Sequence, residues 1–231
     1  MLKVTPISLR LNPIYMDPLH FCIAAVPLAV YLLLIGLLNL RRSPFVTSGA
    51  RDAAAVGIGV CGLMIAGPME LFMPQAAAAQ YGSLVWVMML SFYGLIVSLT
   101  VLLMRVRIVV YNINAEQLRP ILTKIALQFD KSSRWSGDGL LIPSKEIHLH
   151  LEPSLWNRNV QLTASGIAQG YEGWNELESE IKKAVQSVEV RPSLFGINLL
   201  VSSLALALFT LYWMLIDQDS VVSAFREMTQ F

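Results

Sequence analysis

Four long apolar segments constrain this chain more than any other feature of its sequence. A helix needs about 20 apolar residues to cross roughly 30 Å of hydrocarbon. Segments of that kind lie at about 19–40, 53–73, 84–104 and 194–216. A polar stretch separates the third segment from the fourth. The sequence therefore predicts an α-helical multi-pass membrane protein with four transmembrane helices and an inserted small α+β domain.

This pattern divides the 231 residues into five parts. The parts are an N-terminal tail (1–18), three transmembrane helices with short loops (19–104), a soluble α+β domain (105–192), a fourth transmembrane helix (193–216) and a C-terminal tail (217–231). The first apolar run, of 22 residues, exceeds the roughly 7–15 of a signal peptide, so we interpret it as a retained anchor.

Composition excludes several classes of protein. Charged residues make up 14% of the chain and hydrophobic residues 55%, with a net charge of +1, whereas soluble domains carry about 25% charged residues. A disordered chain, an ordinary soluble enzyme and a charge-driven nucleic-acid-binding protein are all disfavoured. Cys22 and Cys61 both lie in apolar segments, so a disulfide-stapled extracellular domain is not expected.

Basic residues beside the apolar segments predict the orientation in the membrane, because such residues favour the cytoplasmic side. Placing both termini outside puts eight of them in the cytoplasm and three, Lys3, Arg10 and Arg226, outside. The cytoplasmic eight are Arg41, Arg42, Arg51, Arg105, Arg107, Lys182, Lys183 and Arg191. We therefore expect a plasma or inner membrane protein whose domain 105–192 is cytoplasmic.

Small residues in the apolar segments indicate where helices pack, since close approach in lipid depends on small side chains. The candidates recur every three or four residues, on one face of each helix. They are Ala55, Gly59, Gly62 and Ala66 in the second segment, and Ser91, Gly94 and Ser98 in the third. Gly57, Gly59 and Gly62 also match a dinucleotide-binding fingerprint, but within an apolar helix this spacing does not predict a cofactor.

Glu70 is the acidic residue inside an apolar segment. An ionisable side chain within a membrane is a candidate for proton or cation binding. Glu70 follows Gly67 and Pro68, near the end of its segment. It therefore has two interpretations, a functional intramembrane carboxylate or a hydrated residue at the interface.

The polar stretch alternates between the strand and helix periods. A short apolar strand over 108–113 precedes an amphipathic helix that Asn114 and Gln117 begin. Short strands and turns follow, and a second amphipathic helix covers about 172–188. Two such helices on one face of a mostly antiparallel sheet form a small α+β sandwich, of which a ferredoxin-like arrangement is one example.

One strand of this domain carries a candidate metal site. Alternation over 145–151 would place Glu146, His148, His150 and Glu152 on one face. Two imidazoles two residues apart, with a carboxylate, can bind a zinc-type ion. The other interpretation is the solvent-exposed face of an amphipathic strand.

Three functions fit the sequence. The first is a non-enzymatic anchor, scaffold or regulatory protein that presents a cytoplasmic α+β binding module to lipid, to a membrane protein or to a second copy of itself. The second is an oligomeric channel or transporter subunit that uses Glu70. The third, a metal-dependent membrane enzyme, has the least support. No cofactor and no nucleic-acid partner are predicted.

Overall fold

The computed structural model describes residues 18–69, 71, 80–82, 84–154, 158–166, 169–218 and 221–222. Glu70 lies outside these residues. The helices of the described part are α1 (Pro18–Leu40), α2 (Gly49–Met64), α3 (Leu84–Leu103), α4 (Ala115–Phe129), α5 (Tyr171–Gln186) and α6 (Leu194–Ile216). A π-helical turn, Ile65–Met69, continues α2.

In the part of the chain that the structure describes, four helices are long and apolar enough to cross a membrane: α1, α2 with its π-helical turn, α3 and α6. Their number and positions confirm the prediction from hydropathy. The second helix begins at Gly49, earlier than expected, because the Ser48 hydroxyl caps it by accepting a hydrogen bond from the Arg51 backbone N–H at 3.4 Å. Asp52 then lies in the first turn, where the positive end of the helix dipole favours a carboxylate.

Helix α1 is the centre of the apolar bundle, because it packs on both α2 and α6. Helices α1 and α6 run antiparallel to each other. At one end, the rings of Phe21 and Phe209 meet edge to face, with their centres 5.4 Å apart. At the other end, the backbones of Gly36 and Gly196 approach each other closely. Helix α3 packs mainly on α2.

Glycines allow α1 and α2 to approach. A Cβ on Gly59 would lie 2.7 Å from the Tyr31 side chain, and one on Gly62 would overlap the carbonyl oxygen of Ile23. The second contact is with backbone, which cannot move aside as a flexible side chain can. We infer that the spacing between these two helices requires glycine at position 62.

Among the described residues, six strands form one antiparallel sheet in the order β1-β2-β6-β5-β4-β3. The strands are β1 (Phe45–Ser48), β2 (Arg107–Tyr111), β3 (Arg134–Ser136), β4 (Gly139–Ile142), β5 (Ile147–Pro153) and β6 (Val160–Ala164). Strand β1 was not predicted: it belongs to the stretch between the first two apolar segments that we interpreted as a short loop. The sheet thus includes residues from outside 105–192.

The core of the module lies between one face of this sheet and the two amphipathic helices. Leu118, Leu122 and Ile125 of α4 are buried, as expected from their helical spacing. Helix α5 buries a matching stripe. The sheet supplies β-branched and leucine side chains to the same cluster, among them Val46, Ile108, Val110, Leu149 and Leu162.

The connectivity differs from a ferredoxin-like domain, which follows the order β-α-β-β-α-β. Here the four strands β3 to β6 separate α4 from α5, and no strand follows α5 before the apolar helix α6. The reason is that β3 to β6 pair with their neighbours along the chain. The coarser prediction, a mixed helix and sheet fold, is confirmed.

The glycine contact leads to a first prediction. We expect Gly62→Ala to lower the free energy of unfolding by about 1–3 kcal/mol, the usual cost of overpacking, because the new methyl group meets the Ile23 backbone. Thermal unfolding in detergent would show a fall of several degrees in Tm. Gly67→Ala is the matched control, since a Cβ there has no neighbour within 4 Å among the described residues. An equal effect of both variants would contradict the packing argument.

Candidate functional site

A polar cluster joins the apolar helices to the sheet, and we call its residues Asp52, Arg107, Tyr111 and Gln161 the junction cluster. Arg107 and Tyr111 share one face of β2, the face opposite the core. The first turn of α2 lies on this face, where the Tyr111 hydroxyl donates a hydrogen bond to the Asp52 carboxylate. Arg107 Nη2 lies 3.6 Å from Asp52 Oδ2, and Arg107 Nη1 donates to Gln161 Oε1 at 3.3 Å.

The environment of Tyr111 keeps its phenol protonated. Burial, the hydrogen bond to Asp52 and the negative charge of that carboxylate raise the pKa of Tyr111 far above its usual value, and the Arg107 charge opposes them. The cluster therefore pairs a neutral donor and a cation with one carboxylate. Such pairing compensates for the partial removal of Asp52 from water.

Backbone groups hold the connecting segments together beside this cluster. The Asn112 side chain donates to the Arg41 carbonyl at 2.7 Å, and its N–H donates to Asn159 Oδ1 at 3.1 Å. The Val190 N–H donates to the Arg42 carbonyl at 2.8 Å. The two connections from helices to module, between α1 and β1 and between α5 and α6, are thus hydrogen-bonded to each other, and the first is also bonded to the segment after β2. Asn112 has a φ of 60°, a conformation that asparagine adopts more readily than most residues.

The predicted histidine face is present in part. His148, His150 and Glu152 alternate with buried residues along β5 and are exposed. The placement of Glu146 on this strand was wrong: it precedes β5 with a φ of 52° and ends the short turn Pro143–Lys145.

The sheet register brings no additional ligand to the two histidines. His148 is opposite Leu141, and His150 lies between Gly139 and Thr163. Within the described residues, no group of three or more His, Cys, Asp or Glu side chains could hold a metal ion. The metal hypothesis for Glu146, His148, His150 and Glu152 gains no support from this geometry.

The predicted packing residues separate into two groups. Gly59 and Gly62 are buried against α1, while Ala66 is half-buried and Ala55 is exposed. The Ser91, Gly94 and Ser98 stripe of α3 is exposed. A Cβ on Gly94 would meet nothing within 4 Å, so this stripe packs on no other described part of the chain.

A large apolar cavity lies between the end of α2 and the start of α3. Its volume is about 660 Å³. The lining residues are Met64, Pro68, Met69, Tyr81, Leu84, Val85, Met88, Met89, Phe92, Tyr93 and Ile96. These side chains suit hydrocarbon better than an ion. The channel hypothesis depends on Glu70, outside the described residues, and stays a prediction.

Comparison with known proteins adds no further assignment. No family model matches the chain, and neither the curated proteins nor the solved structures give a significant match.

The junction cluster was not predicted from the sequence. Asp52 could have been noticed as an acidic residue in the first turn of an apolar helix. Its partners Arg107 and Tyr111 are more than fifty positions away along the chain. They can be recognised as partners of Asp52 only when α2 lies on their face of β2.

The raised pKa of Tyr111 leads to a second prediction. Above about pH 10 the unfolded chain releases the phenolic proton while the folded chain keeps it, so stability present below that pH is lost as pH rises. Tyr111→Phe removes this linkage. We expect the variant to be less stable by about 1–3 kcal/mol near neutral pH, and this difference in stability from the native protein to narrow as pH rises past about 10 toward 11.

Thermal unfolding across this pH range is the measurement. Tyr171→Phe is the control, because Tyr171 is 70% exposed and loss of its hydroxyl should cost little stability. A constant difference between Tyr111→Phe and the native protein across the range would contradict the assigned linkage.

Proposed function

We propose that this chain is a multi-pass membrane protein that holds a cytoplasmic α+β module in a fixed position at the membrane surface. It acts without catalysis, as an anchor, scaffold or regulatory protein. The observation that carries this proposal is the junction cluster, in which Asp52 of α2 contacts Arg107 and Tyr111 of β2.

A flexible linker would support a different function, a tethered but freely moving domain. Instead, β1 follows α1 closely and leads directly into α2, so the first two apolar helices are continuous with the sheet. The hydrogen bonds among Arg41, Arg42, Asn112 and Val190 add further attachments. A module held in this way keeps one orientation relative to the membrane, which suits a scaffold.

The described residues of the module leave two surfaces available for a partner. One is the exposed part of the sheet around His148 and His150. The other is a groove of about 410 Å³ between α4 and α5, whose rim includes Lys124, Glu180 and Lys183. Mixed charges on this rim favour a polar protein surface over nucleic acid.

The orientation can be tested by cysteine labelling in cells. In a Cys22→Ala/Cys61→Ala background, Ser165→Cys places a thiol on an exposed turn of the module. Gln218→Cys places one just after α6, at the opposite end of the bundle. We expect a membrane-impermeant maleimide to label Gln218→Cys in intact cells and Ser165→Cys only after lysis. Labelling of Ser165→Cys in intact cells would overturn the cytoplasmic placement.

A second copy is the partner that the exposed stripe on α3 favours. Ser91, Gly94 and Ser98 face away from α2, which Tyr93 contacts through a 2.6 Å hydrogen bond to the Gly57 carbonyl. Small residues on a lipid-exposed helix permit close approach of another helix. We therefore propose a homo-oligomer that packs through this stripe.

Mass measurement in mild detergent checks the homo-oligomer. We expect the native protein to exceed the mass of one chain and Gly94→Leu to give single chains, since a leucine would fill the stripe. Leu99→Phe is the control, because it adds bulk at an exposed position on a different side of α3. A native protein that is monomeric and carries no bound membrane protein would count against the scaffold proposal.

A further inference from the structure

A small pocket lies where the first apolar helix ends and the module begins. We call it the headgroup pocket. Its volume is about 190 Å³. Its lining residues are Arg41, Ser43, Pro44, Phe45, Val46, Lys182, Val185 and Gln186. It therefore joins the segment between α1 and β1 to the outer part of α5.

The location of the pocket coincides with the expected level of lipid headgroups. Arg41 directly follows Leu40, the last residue of the first candidate membrane span. In a bilayer, polar headgroups occupy the layer just beyond the hydrocarbon core. A group bound between Arg41 and Lys182 would thus lie at the depth of a phospholipid phosphate.

The pocket has an excess of positive charge. Arg41 has no carboxylate within ion-pair distance among the described residues, and its guanidinium stacks 6.0 Å from the centre of the Phe45 ring. Lys182 forms an ion pair with Glu178, but Arg51 Nη1 also lies 3.4 Å from Glu178 Oε1. One acidic side chain is therefore shared by two cations, and Arg41 remains available for an anion.

The surroundings add to this charge. Arg42 and Arg191 are exposed and form no ion pair with a described carboxylate. Arg158 donates to the Arg191 carbonyl at 3.1 Å rather than to an acid. Glu189, beside Arg191, is exposed and forms no ion pair with these arginines in the described part of the chain. A cationic surface of this kind attracts anionic lipid.

The remaining lining fits the rest of a lipid headgroup. Val46 and Val185 form an apolar wall of the pocket, while the Ser43 hydroxyl is a donor for a phosphate oxygen. Arginine matches phosphate oxygens with paired N–H donors. We propose that the headgroup pocket binds an anionic phospholipid, with its phosphate between Arg41 and Lys182.

This inference goes beyond the proposed function, because it names a lipid ligand. It requires membrane insertion but not a second copy or an effect on a partner. The test uses the full-length protein in neutral detergent, titrated with phosphatidylglycerol, phosphatidylcholine or inorganic phosphate while Tm is recorded. Phosphatidylglycerol should raise Tm with its concentration, as a ligand of the folded state does. Phosphatidylcholine should not.

Matched double variants separate the pocket from its surroundings. Arg41→Gln/Lys182→Gln removes both lining cations, and each loss should weaken apparent affinity about fivefold, so about 25-fold together. Arg42→Gln/Lys183→Gln removes the same charge from the neighbouring positions and should weaken affinity by about fivefold at most. If the first double variant fails to fold, Arg41→Gln and Lys182→Gln are tested singly, each for its own fivefold loss.

Three outcomes would overturn the proposal. Equal losses of affinity in the two double variants would mean that the general positive charge of the surface, and not the pocket, binds the lipid. Equal stabilisation by inorganic phosphate and phosphatidylglycerol would assign the pocket to a soluble anion. No rise in Tm with phosphatidylglycerol would remove the anionic lipid altogether, and would leave the proposed anchor and scaffold function standing.

Discussion

The contact of Asp52 with Arg107 and Tyr111 is the constraint on which the relation between the helices and the sheet depends. A carboxylate at the start of an apolar helix loses part of its hydration and needs compensating partners. Both partners come from one face of β2, so α2 has to begin above that face. Strand β1 immediately precedes α2 and pairs with β2, and it fixes the same relation through backbone hydrogen bonds. Side-chain electrostatics and strand pairing thus specify one arrangement.

The bundle depends on close backbone approach, as expected where lipid removes the hydrophobic drive between helices. Gly62 meets the backbone of α1, while Gly36 and Gly196 bring α1 and α6 together. The Ser203 hydroxyl adds a hydrogen bond to the Ala29 carbonyl at 2.8 Å. Because α1 contacts both neighbours and also leads into β1, a change in bundle packing would reach the sheet through covalently continuous elements. This continuity is the physical basis for proposing a regulatory or scaffold role.

Hydropathy and residue spacing predicted those elements of the fold that depend on residues close together in the sequence. Length and apolarity located the four long helices, and helical spacing identified the buried faces of α4 and α5. Strand β1 was not predicted, because it has four residues and its partner β2 lies about sixty positions later in the sequence. Glu146 was placed on β5 because alternation continued through it, but a left-handed residue ends the preceding turn there. The junction cluster forms only when α2 lies on the sheet. The helix and strand periods of a sequence do not reveal that placement.

The register of the sheet connects its exposed surface to the junction. His150 is opposite Thr163, and Thr163 is opposite Arg107, so the three share one face of adjacent strands. Neighbouring strands are about 4.8 Å apart, which puts His150 roughly 10 Å from the strand that contacts Asp52. A partner on the histidine face would therefore touch the same layer of side chains that holds α2. The hydrogen bond and ion pair of Asp52 depend on specific geometry. A partner that drew Arg107 toward itself would therefore break the contact between Arg107 and Asp52, which positions α2. One row of side chains on adjacent strands thus extends from the exposed histidine face to the residue that contacts the first turn of α2.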